Sequence, residues 1–416
     1  MKKNLKKLCI AFILYILINI YVYICAIDAI PENTILFEGE SLNLKTLYGI
    51  TLKTEKEEYE SVLASSTIDE NEQSELLGTT NVKVQLFNKL TVKEVSVSVI
   101  ERTKVIPVGQ VAGLKLYTSG VLVVGMSEIK GTDNVKYKPY ENSGIKEGDM
   151  IIKVEDNNIS DTNDLLKTVN SSNGEKLRIV YVRDGETLEC SIKPIQTSKT
   201  EYKLGLWVRD SAAGIGTMTF YEPSTGKFAA LGHGISDIDT GDLVNISNGE
   251  FITTKVLSIT KGKKGSPGKI QGTIENSSNI GQIYKNTNMG IYGTVDNISA
   301  INIDGKQELD VVTRNEIQLG KATILCSLDN KTVKEYAIEI EKIYINNNYD
   351  NKSMLIKVTD EELLKKTGGI IQGMSGCPII QNGKFIGCIT NVLVNDPTQG
   401  YGVFGDLMIK EMKSIK

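Results

Sequence analysis

The sequence predicts a mainly β protein of several domains that begins with a membrane helix. Its 416 residues exceed the length of one ordinary domain and suffice for two or three. Aromatic residues make up only 6%, while Val, Ile, Thr and Gly are abundant, which favours strands and turns over helical bundles. A long apolar run follows directly after a group of N-terminal lysines, which predicts the membrane helix.

The membrane helix is predicted at residues 1–27. Lys2, Lys3, Lys6 and Lys7 precede an apolar stretch of about 20 residues, enough to cross a bilayer. The lysines favour a cytoplasmic N-terminus, which places the rest of the chain outside the cytoplasm. A cleaved signal peptide is the alternative, although the apolar run is long for one and a small-x-small cleavage pattern is poorly formed near Ala29.

Charge, cysteine and histidine content exclude several classes of function. A net charge of −4 provides no positive field for nucleic acid, so we expect no nucleic-acid partner. Six cysteines without a Cys-x-x-Cys pair argue against a disulfide framework. His233 is the one histidine of the chain, which excludes a zinc site built from several imidazoles. We expect neither a metal nor a cofactor.

Residues 28–106 are predicted to form a linker and a small β region. The stretch from Lys53 to Glu75 is polar and strongly acidic, which is typical of an exposed linker or solvated helix and of a site open to proteolysis. Val82–Leu86 and Val92–Val99 alternate apolar and polar residues with period two, which predicts strands with one buried face.

Residues 107–195 carry the pattern of a specific domain. The run Gly144–Val154 reads Gly-Ile-Lys-Glu-Gly-Asp-x-Ile-x-x-Val, and a helix with a polar start follows at Asp161–Val169. Two strands, Leu177–Val182 and Glu189–Ile192, close the segment. This pattern resembles a PDZ domain of the bacterial protease type.

A PDZ domain binds an extended peptide as an added strand at a free sheet edge. Our candidates for the ligand strand are Gly120, Val121, Leu122 and Val123, since a glycine there leads into an apolar strand. The alternative is that these residues form an ordinary core strand. The expected partner of this domain is a peptide or protein ligand.

Residues 200–416 contain many short strand-like segments separated by Gly, Asn and Asp turns, which indicates a sandwich or barrel. Two glycine-framed polar residues stand out within them. His233 lies between Gly232 and Gly234 directly after an apolar strand. Ser375 lies in the sequence Gly-Met-Ser-Gly-Cys-Pro, before another apolar strand.

These two residues suit acyl transfer. A serine hydroxyl needs an imidazole to take its proton, and the attacked carbonyl needs N–H donors for its developing charge. We predict Ser375 as nucleophile, His233 as general base, and the N–H groups of Gly373 and Ser375 as the oxyanion hole. The Gly-x-Ser-Gly-x-Pro sequence resembles the nucleophile loop of chymotrypsin-like peptidases, which implies a double β-barrel.

The carboxylate that orients the histidine is left open by the residues alone. Asp360 ends a strand-like run fifteen residues before Ser375, while Asp310 and Asp237 are the other candidates. Asp360 also fits the role of a helix N-cap.

A family resemblance rests on the PDZ domain and on four segments: Leu231–Asp237, Thr359–Asp360, Thr367–Gly376 and Val394–Gly402. Together they look like the SpoIVB sporulation serine peptidases of endospore-forming bacteria. The resemblance implies that His233, Asp360 and Ser375 form the catalytic triad. One departure is Asn391, which stands where the best-known relatives have a histidine.

The resemblance also implies a place and a purpose. Such enzymes reside at the forespore membrane, with the catalytic part in the intermembrane space, and release themselves by self-cleavage in the N-terminal region. Their substrate is a membrane-bound regulatory protein of an intramembrane protease complex, and its cleavage triggers processing of sigma factor K. The alternative is a catalytically inactive PDZ scaffold that recruits membrane partners in spore assembly.

Overall fold

The computed structural model describes residues 2–40, 42, 50–54, 77–329, 332–346 and 351–415. It begins with helix α1 (Lys2–Asp28), which includes the apolar stretch predicted to cross a bilayer. Among the described residues, α1 is the one helix that is long and apolar enough for this. The side chains of Phe12 and Tyr21 are exposed. Helix α1 is therefore consistent with a membrane anchor or a signal sequence.

A small four-stranded sheet follows α1, in the order β1-β4-β3-β2. Its strands are β1 (Asn33–Phe37), β2 (Ile50–Thr54), β3 (Gly78–Leu86) and β4 (Leu90–Ile100). Val82 and Val84 of β3 and Val95 and Val97 of β4 are buried, which confirms the two strands predicted from period-two alternation. Most of the predicted acidic linker, residues 55–76, lies outside the described residues.

Two long antiparallel strands, β5 (Lys104–Met126) and β14 (Leu206–Glu222), form the spine of the remaining structure. Leu206 lies opposite Met126 at one end of the pair, and Tyr221 lies opposite Ile106 at the other. The chain between these strands folds into the predicted PDZ domain. The PDZ domain is thus inserted into a β-hairpin.

The PDZ domain contains one helix, α2 (Thr162–Ser171), and a set of short strands. The strands are β6 (Ile129–Lys130), β7 (Lys136–Tyr137), β8 (Met150–Val154), β9 (Asn157–Asn158), β10 (Leu177–Arg183), β11 (Glu186–Ile192), β12 (Ile195–Gln196) and β13 (Tyr202–Lys203). Its main sheet runs β11-β10-β8-β5-β14. Leu165 and Val169 of α2 pack into the core of this domain.

The first barrel is a closed circuit of six strands. It consists of β5, β14, β15 (Lys227–Ala230), β18 (Gly290–Val295), β17 (Lys269–Thr287) and β16 (Ile246–Thr260). Pairing between β16 and β5 closes it. Phe228 and Phe251 lie in its core, with ring centroids 4.8 Å apart.

Strand pairing divides the chain differently from the predicted boundary at residue 107. The part of β5 up to Thr118 pairs within the first barrel, while Leu206–Arg209 of β14 pairs with the PDZ part of β5. The peptidase domain thus takes its first strand from before the PDZ domain. Composition did not indicate this, because β5 is one continuous apolar strand without a turn at the boundary.

The second barrel is also closed and six-stranded. Its order is β20 (Gly320–Ser327), β21 (Val333–Ile343), β22 (Met354–Val358), β25 (Gln399–Phe404), β24 (Lys384–Val392) and β23 (Pro378–Gln381). Helix α3 (Glu361–Thr367) follows β22, and helix α4 (Gly405–Lys413) follows β25. The short strand β19 (Leu309–Asp310) pairs with β5 in the connection between the barrels. Two closed barrels and a PDZ domain confirm the predicted fold class.

A buried ion pair fixes the connection between the barrels to α4. Arg314 Nε lies 3.0 Å from Asp406 Oδ2, and both side chains are almost completely shielded from solvent. The backbone N–H of Arg314 donates to the same oxygen at 3.1 Å. Because removal of one partner would leave a buried charge, this contact favours one arrangement of the connection.

Candidate active site

Ser375 lies in the loop between α3 and β23, where two glycines have backbone angles that favour glycine. Gly373 has φ +100° and Gly376 has φ +95°. A Cβ on Gly376 would lie 2.1 Å from Thr217 O of the first barrel. The glycines therefore let the Ser375 loop bend sharply while it contacts the other barrel.

The N–H groups of the Ser375 loop divide into two kinds. Those of four residues are paired: Gln372 with Gly268 O, Met374 with Ile371 O, Gly376 with Ile389 O and Cys377 with Met374 O. Of residues 372–377, only Gly373 and Ser375 have N–H groups that donate to no atom in the described part of the chain. Two free donors at these positions are what the predicted oxyanion hole requires.

The direction of these two donors is set by the carbonyl groups before them. Gln372 O accepts from Ile270 N at 2.8 Å, and Met374 O accepts from Cys377 N at 3.0 Å. In a planar trans peptide the N–H points opposite to the C=O. The N–H of Gly373 therefore points away from Ile270 N, and the N–H of Ser375 points away from Cys377 N.

The Ser375 hydroxyl binds a backbone oxygen of the second barrel. Its Oγ donates to Thr390 O at 2.7 Å, and the Thr390 hydroxyl donates to Asn351 O at 2.9 Å. Thr217 N donates to Ser375 O at 3.0 Å. Within the described chain Ser375 Oγ has no hydrogen bond to His233, and its hydroxyl is paired with Thr390 O instead.

His233 follows β15 through a sharp turn at Leu231 and Gly232, both with positive φ. A Cβ on Gly232 would lie 2.4 Å from Cys388 Sγ and 3.0 Å from Thr390 Cγ2. Since Ser375 Oγ binds the carbonyl of the same Thr390, the turn brings the histidine and serine segments to one place between the barrels.

A cleft of about 520 Å³ lies beside His233, and the described residues that line it do not include Ser375. The residues that line it are His233, Gly234, Ser236, Leu243, Asn288, Asn351 and Asn391. The three asparagines of this lining can hydrogen-bond the main chain of an extended peptide. Sequence reasoning missed Asn288 and Asn351 and treated Asn391 only as a departure from the family. Asn288 and Asn351 lie in loops and Asn391 lies in β24, and none of these positions carried a signal in the sequence.

The imidazole of His233 is held in one tautomer. Its Nδ1 lies 2.8 Å from Gly234 O, and because a carbonyl only accepts, Nδ1 carries the proton. Nε2 is then the free base. Burial lowers the pKa of His233 below its ordinary value of 6.5, while the bond to Gly234 O acts in the opposite direction. His233 is therefore neutral at pH 7 and able to accept a proton.

None of the three candidate carboxylates forms a hydrogen bond with His233 in the described chain. Asp360 accepts from Leu363 N at 2.9 Å and from Ala337 N at 3.4 Å, as the N-cap of α3. Asp310 pairs with Lys104 at 3.8 Å. Asp237 binds the side chain of Arg209. The group that orients the imidazole here is a backbone carbonyl, and the orienting role of Asp360 stays a prediction.

Comparison with known proteins identifies the family. A family model described as SpoIVB peptidase S55 matches residues 200–409, half of the chain. The chain belongs to this family. It is a serine peptidase, as its two glycine-framed segments predicted. A PDZ domain model matches residues 113–193 of this S55 peptidase. No curated protein sequence matches it significantly.

Solved structures similar to this S55 peptidase include a PDZ domain and two proteases. The PDZ domain of an SdrC-like protein from Listeria monocytogenes is 20% identical, with 22% of this chain and 87% of that chain covered and a TM-score of 0.17. The active form of the Rv3671c protease from M. tuberculosis is 13% identical, with 61% and 87% covered and a TM-score of 0.28. The HtrA-type protease AlgW with decapeptide is 12% identical, with 53% and 57% covered and a TM-score of 0.28. Similarities with TM-scores this low support no conclusion about mechanism.

The predicted ligand strand of the PDZ domain in this S55 peptidase is not a free edge. Val121 lies opposite Ile151 of β8 on one side, and Val123 lies opposite Val208 of β14 on the other. A peptide cannot add to a strand that is paired on both sides. The prediction of Gly120, Val121, Leu122 and Val123 as ligand strand is therefore wrong. They form a core strand.

One edge of the PDZ sheet is the first part of β14, Leu206–Arg209, and the other is β11. In the described chain this part pairs with β5 on one side only, and α2 lies near it, with Thr162 N donating to Asp210 Oδ2 at 2.8 Å. Gly205, with φ +76°, leads into this strand. Both Gly120 and Gly205 lead into apolar strand residues, and strand pairing distinguishes the core strand from the free edge.

Proposed function

We propose that this chain is a membrane-tethered serine endopeptidase of endospore formation. In the proposal Ser375 is the nucleophile, His233 is the general base, and Gly373 and Ser375 form the oxyanion hole. The observation that carries it is the pair of free N–H groups beside Ser375, in a loop that meets the His233 turn at Thr390. Burial also keeps the imidazole neutral.

The proposed reaction needs one local change. Ser375 Oγ leaves Thr390 O by rotation of its side chain and turns toward Nε2 of His233. Nε2 takes the hydroxyl proton as Oγ attacks the substrate carbonyl, and the two free N–H groups bind the oxyanion. His233 then protonates the leaving amine. The Gly234 carbonyl, which accepts from Nδ1, stabilises the imidazolium through its partial negative charge.

The proposed biological role follows the family resemblance. The enzyme is anchored in the forespore membrane by α1, with the catalytic part in the intermembrane space. It cuts itself in the N-terminal region and then cuts a membrane-bound regulatory protein of an intramembrane protease complex, which triggers sigma factor K processing. Helix α1 and the acidic composition of the segment after β2 support self-release.

A second candidate is an inactive PDZ scaffold that recruits membrane partners. Two observations favour it: Ser375 Oγ binds Thr390 O, and Asp360 caps α3. The free donors of Gly373 and Ser375 favour the peptidase, because a scaffold gains nothing from leaving them unpaired.

The two candidates are separated by self-cleavage of the full-length chain in detergent micelles. We expect the wild type to cut itself at sites before the first barrel, which mass spectrometry of the N-terminal fragments locates. The Ser375→Ala variant should yield no such fragments. The matched control is Ser247→Ala, a serine of β16 that binds only backbone oxygens at the protein surface. Equal fragments from wild type and Ser375→Ala, or no fragments from either, would support the scaffold.

A further inference from the structure

Arg209 lies where β14 passes from the PDZ sheet into the first barrel, and its guanidinium binds the loop of the catalytic histidine. We call residues 231–244 the His233 loop. Arg209 donates to Asp237 Oδ2 and, at 2.6 Å, to Asp239 Oδ2. One arginine of the PDZ edge strand thus holds two carboxylates of the His233 loop, and charge-assisted contacts of this kind are strong and directional.

Asp237 is the residue around which the His233 loop is organised. Its carboxylate accepts from the N–H groups of Asp239 at 2.9 Å and Thr240 at 3.1 Å, and it is almost completely buried. Burial raises the pKa of Asp237, but the combined lowering by these N–H donors and Arg209 is larger. The net pKa lies below the ordinary value, so the carboxylate stays charged. The residues on either side of this turn, Ser236 and Leu243, line the cleft beside His233.

The next residue along β14 binds the PDZ helix instead. Asp210 Oδ2 accepts from Thr162 N at 2.8 Å, at the first residue of α2, and Asp210 O accepts from the Thr118 hydroxyl at 3.0 Å. The register of β14 against β5 shifts between Arg209 and Ser211, so this point is a break in the ladder. Two neighbouring residues thus connect the helix beside the edge strand and the catalytic loop.

We propose that Arg209 is a positioning residue, through which a peptide bound at the edge strand Leu206–Arg209 adjusts the His233 loop. This inference rests on the proposed function. A peptide that adds as a strand here fixes the backbone of these residues up to the guanidinium that holds Asp237 and Asp239. The coupling is reciprocal, because any effect of the peptide on the active site implies an equal effect of the active site on the edge strand.

The first test measures how fast a fluorophosphonate reacts with Ser375 in the full-length protein. We expect Arg209→Ala to lower this rate at least about tenfold, since loss of positioning misplaces the base. Arg209→Lys, which keeps the ion pair with Asp237, should recover most of the rate. The matched control is Arg178→Ala, which removes a PDZ arginine whose side chain pairs with the exposed Asp156 and Glu189 and donates to Glu155 O. An unchanged rate in Arg209→Ala, or an equal loss in Arg178→Ala, would overturn the inference.

The second test uses Trp207, the single tryptophan of the chain, which lies exposed on the edge strand. We expect acrylamide quenching of its fluorescence to change when Ser375 is phosphonylated in the wild type, and to stay constant in Arg209→Ala. If quenching of Trp207 in the wild type is the same before and after phosphonylation, the coupling is overturned and the proposed function is not. A wild type in which Ser375 never reacts would overturn the proposed function, and this inference with it.

Discussion

The loops that carry Ser375 and His233 are held by different kinds of contact. The Ser375 loop is fixed by main-chain bonds to both barrels, from Gly376 N to Ile389 O and from Thr217 N to Ser375 O. The His233 loop has one main-chain bond to β14, from Leu231 N to Thr217 O, and beyond Leu231 it is held by the side chains of Asn286 and Arg209. Main-chain bonds form whatever the side chains are. In the proposed function the Ser375 loop is thus a constant frame for the nucleophile, and the His233 loop, which carries the base, is an adjustable side.

The largest effect is expected from Gly373→Ala, which breaks the constant frame. Alanine is strained at φ +100°, and its Cβ would lie 3.0 Å from Ile270 Cβ, so the free N–H would be turned away from the oxyanion. We expect kcat to fall about 10²- to 10³-fold, the usual cost of losing one oxyanion donor. Steady-state kinetics on a peptide substrate measure it.

The matched control for this change is Gly383→Ala. Gly383 also has positive φ, at +72°, but a Cβ there would meet no atom within 4 Å. It carries the backbone strain without the contact to the first barrel. Equal losses of kcat in the two variants would contradict the assigned oxyanion hole.

A smaller effect is expected from Asn286→Ala, which loosens the adjustable side. Asn286 Oδ1 accepts from Ile235 N, and its Nδ2 donates to Ile235 O and Val244 O, all at 2.9 Å. Loss of these bonds should lower kcat about tenfold to hundredfold with little change in KM. Gln282→Ala, which removes a half-buried side chain of the same strand that donates to Asp296, is the control. A fall in thermal stability with kcat unchanged would show that the His233 loop holds its position without Asn286.

Asp360 caps α3, the helix before the Ser375 loop, and its contribution is measured by the free energy of unfolding. Asp360→Ala removes the N-cap of α3 and should lower the free energy of unfolding by about 1 kcal/mol, whereas Asp360→Asn keeps an acceptor and should stay near wild type. Urea unfolding in the Ser375→Ala background avoids self-cleavage. Equal destabilisation by both changes would contradict the cap role. A severe loss of kcat in Asp360→Asn, with stability kept, would support the predicted orienting role.

The smallest effect concerns pH. The pKa of His233 is lowered below 6.5 by burial, so the neutral base persists as pH falls through 6.5 and is protonated only at lower pH. We expect the acid limb of kcat/KM to have its midpoint below 6.5. A midpoint above 6.5 would mean that a carboxylate stabilises the imidazolium in the working enzyme.

The sequence was informative where the chemistry depends on neighbouring residues. Glycines around His233 and Ser375, and the presence of a single histidine, pointed to both loops and to the donors at Gly373 and Ser375. These features are local, because a sharp turn is encoded by the residues that form it. The family segments extended this to the fold and to the serine peptidase class.

The parts that could not be predicted depend on pairing between distant segments. Arg209 contacts the His233 loop only because β14 carries the PDZ edge into the first barrel. Gly120 and Gly205 both lead into apolar strands, and the difference between core strand and free edge is set by β8 and β14. One sequence without its folded partners does not contain this information.

The most direct test of the account is the site of phosphonylation in the full-length protein. After reaction with a fluorophosphonate and digestion, mass spectrometry should find the label on Ser375 in the wild type and lose it in His233→Ala. The control Ser247→Ala should keep it. Label on another residue, or undiminished label on Ser375 in His233→Ala, would contradict a serine nucleophile activated by the chain's single imidazole.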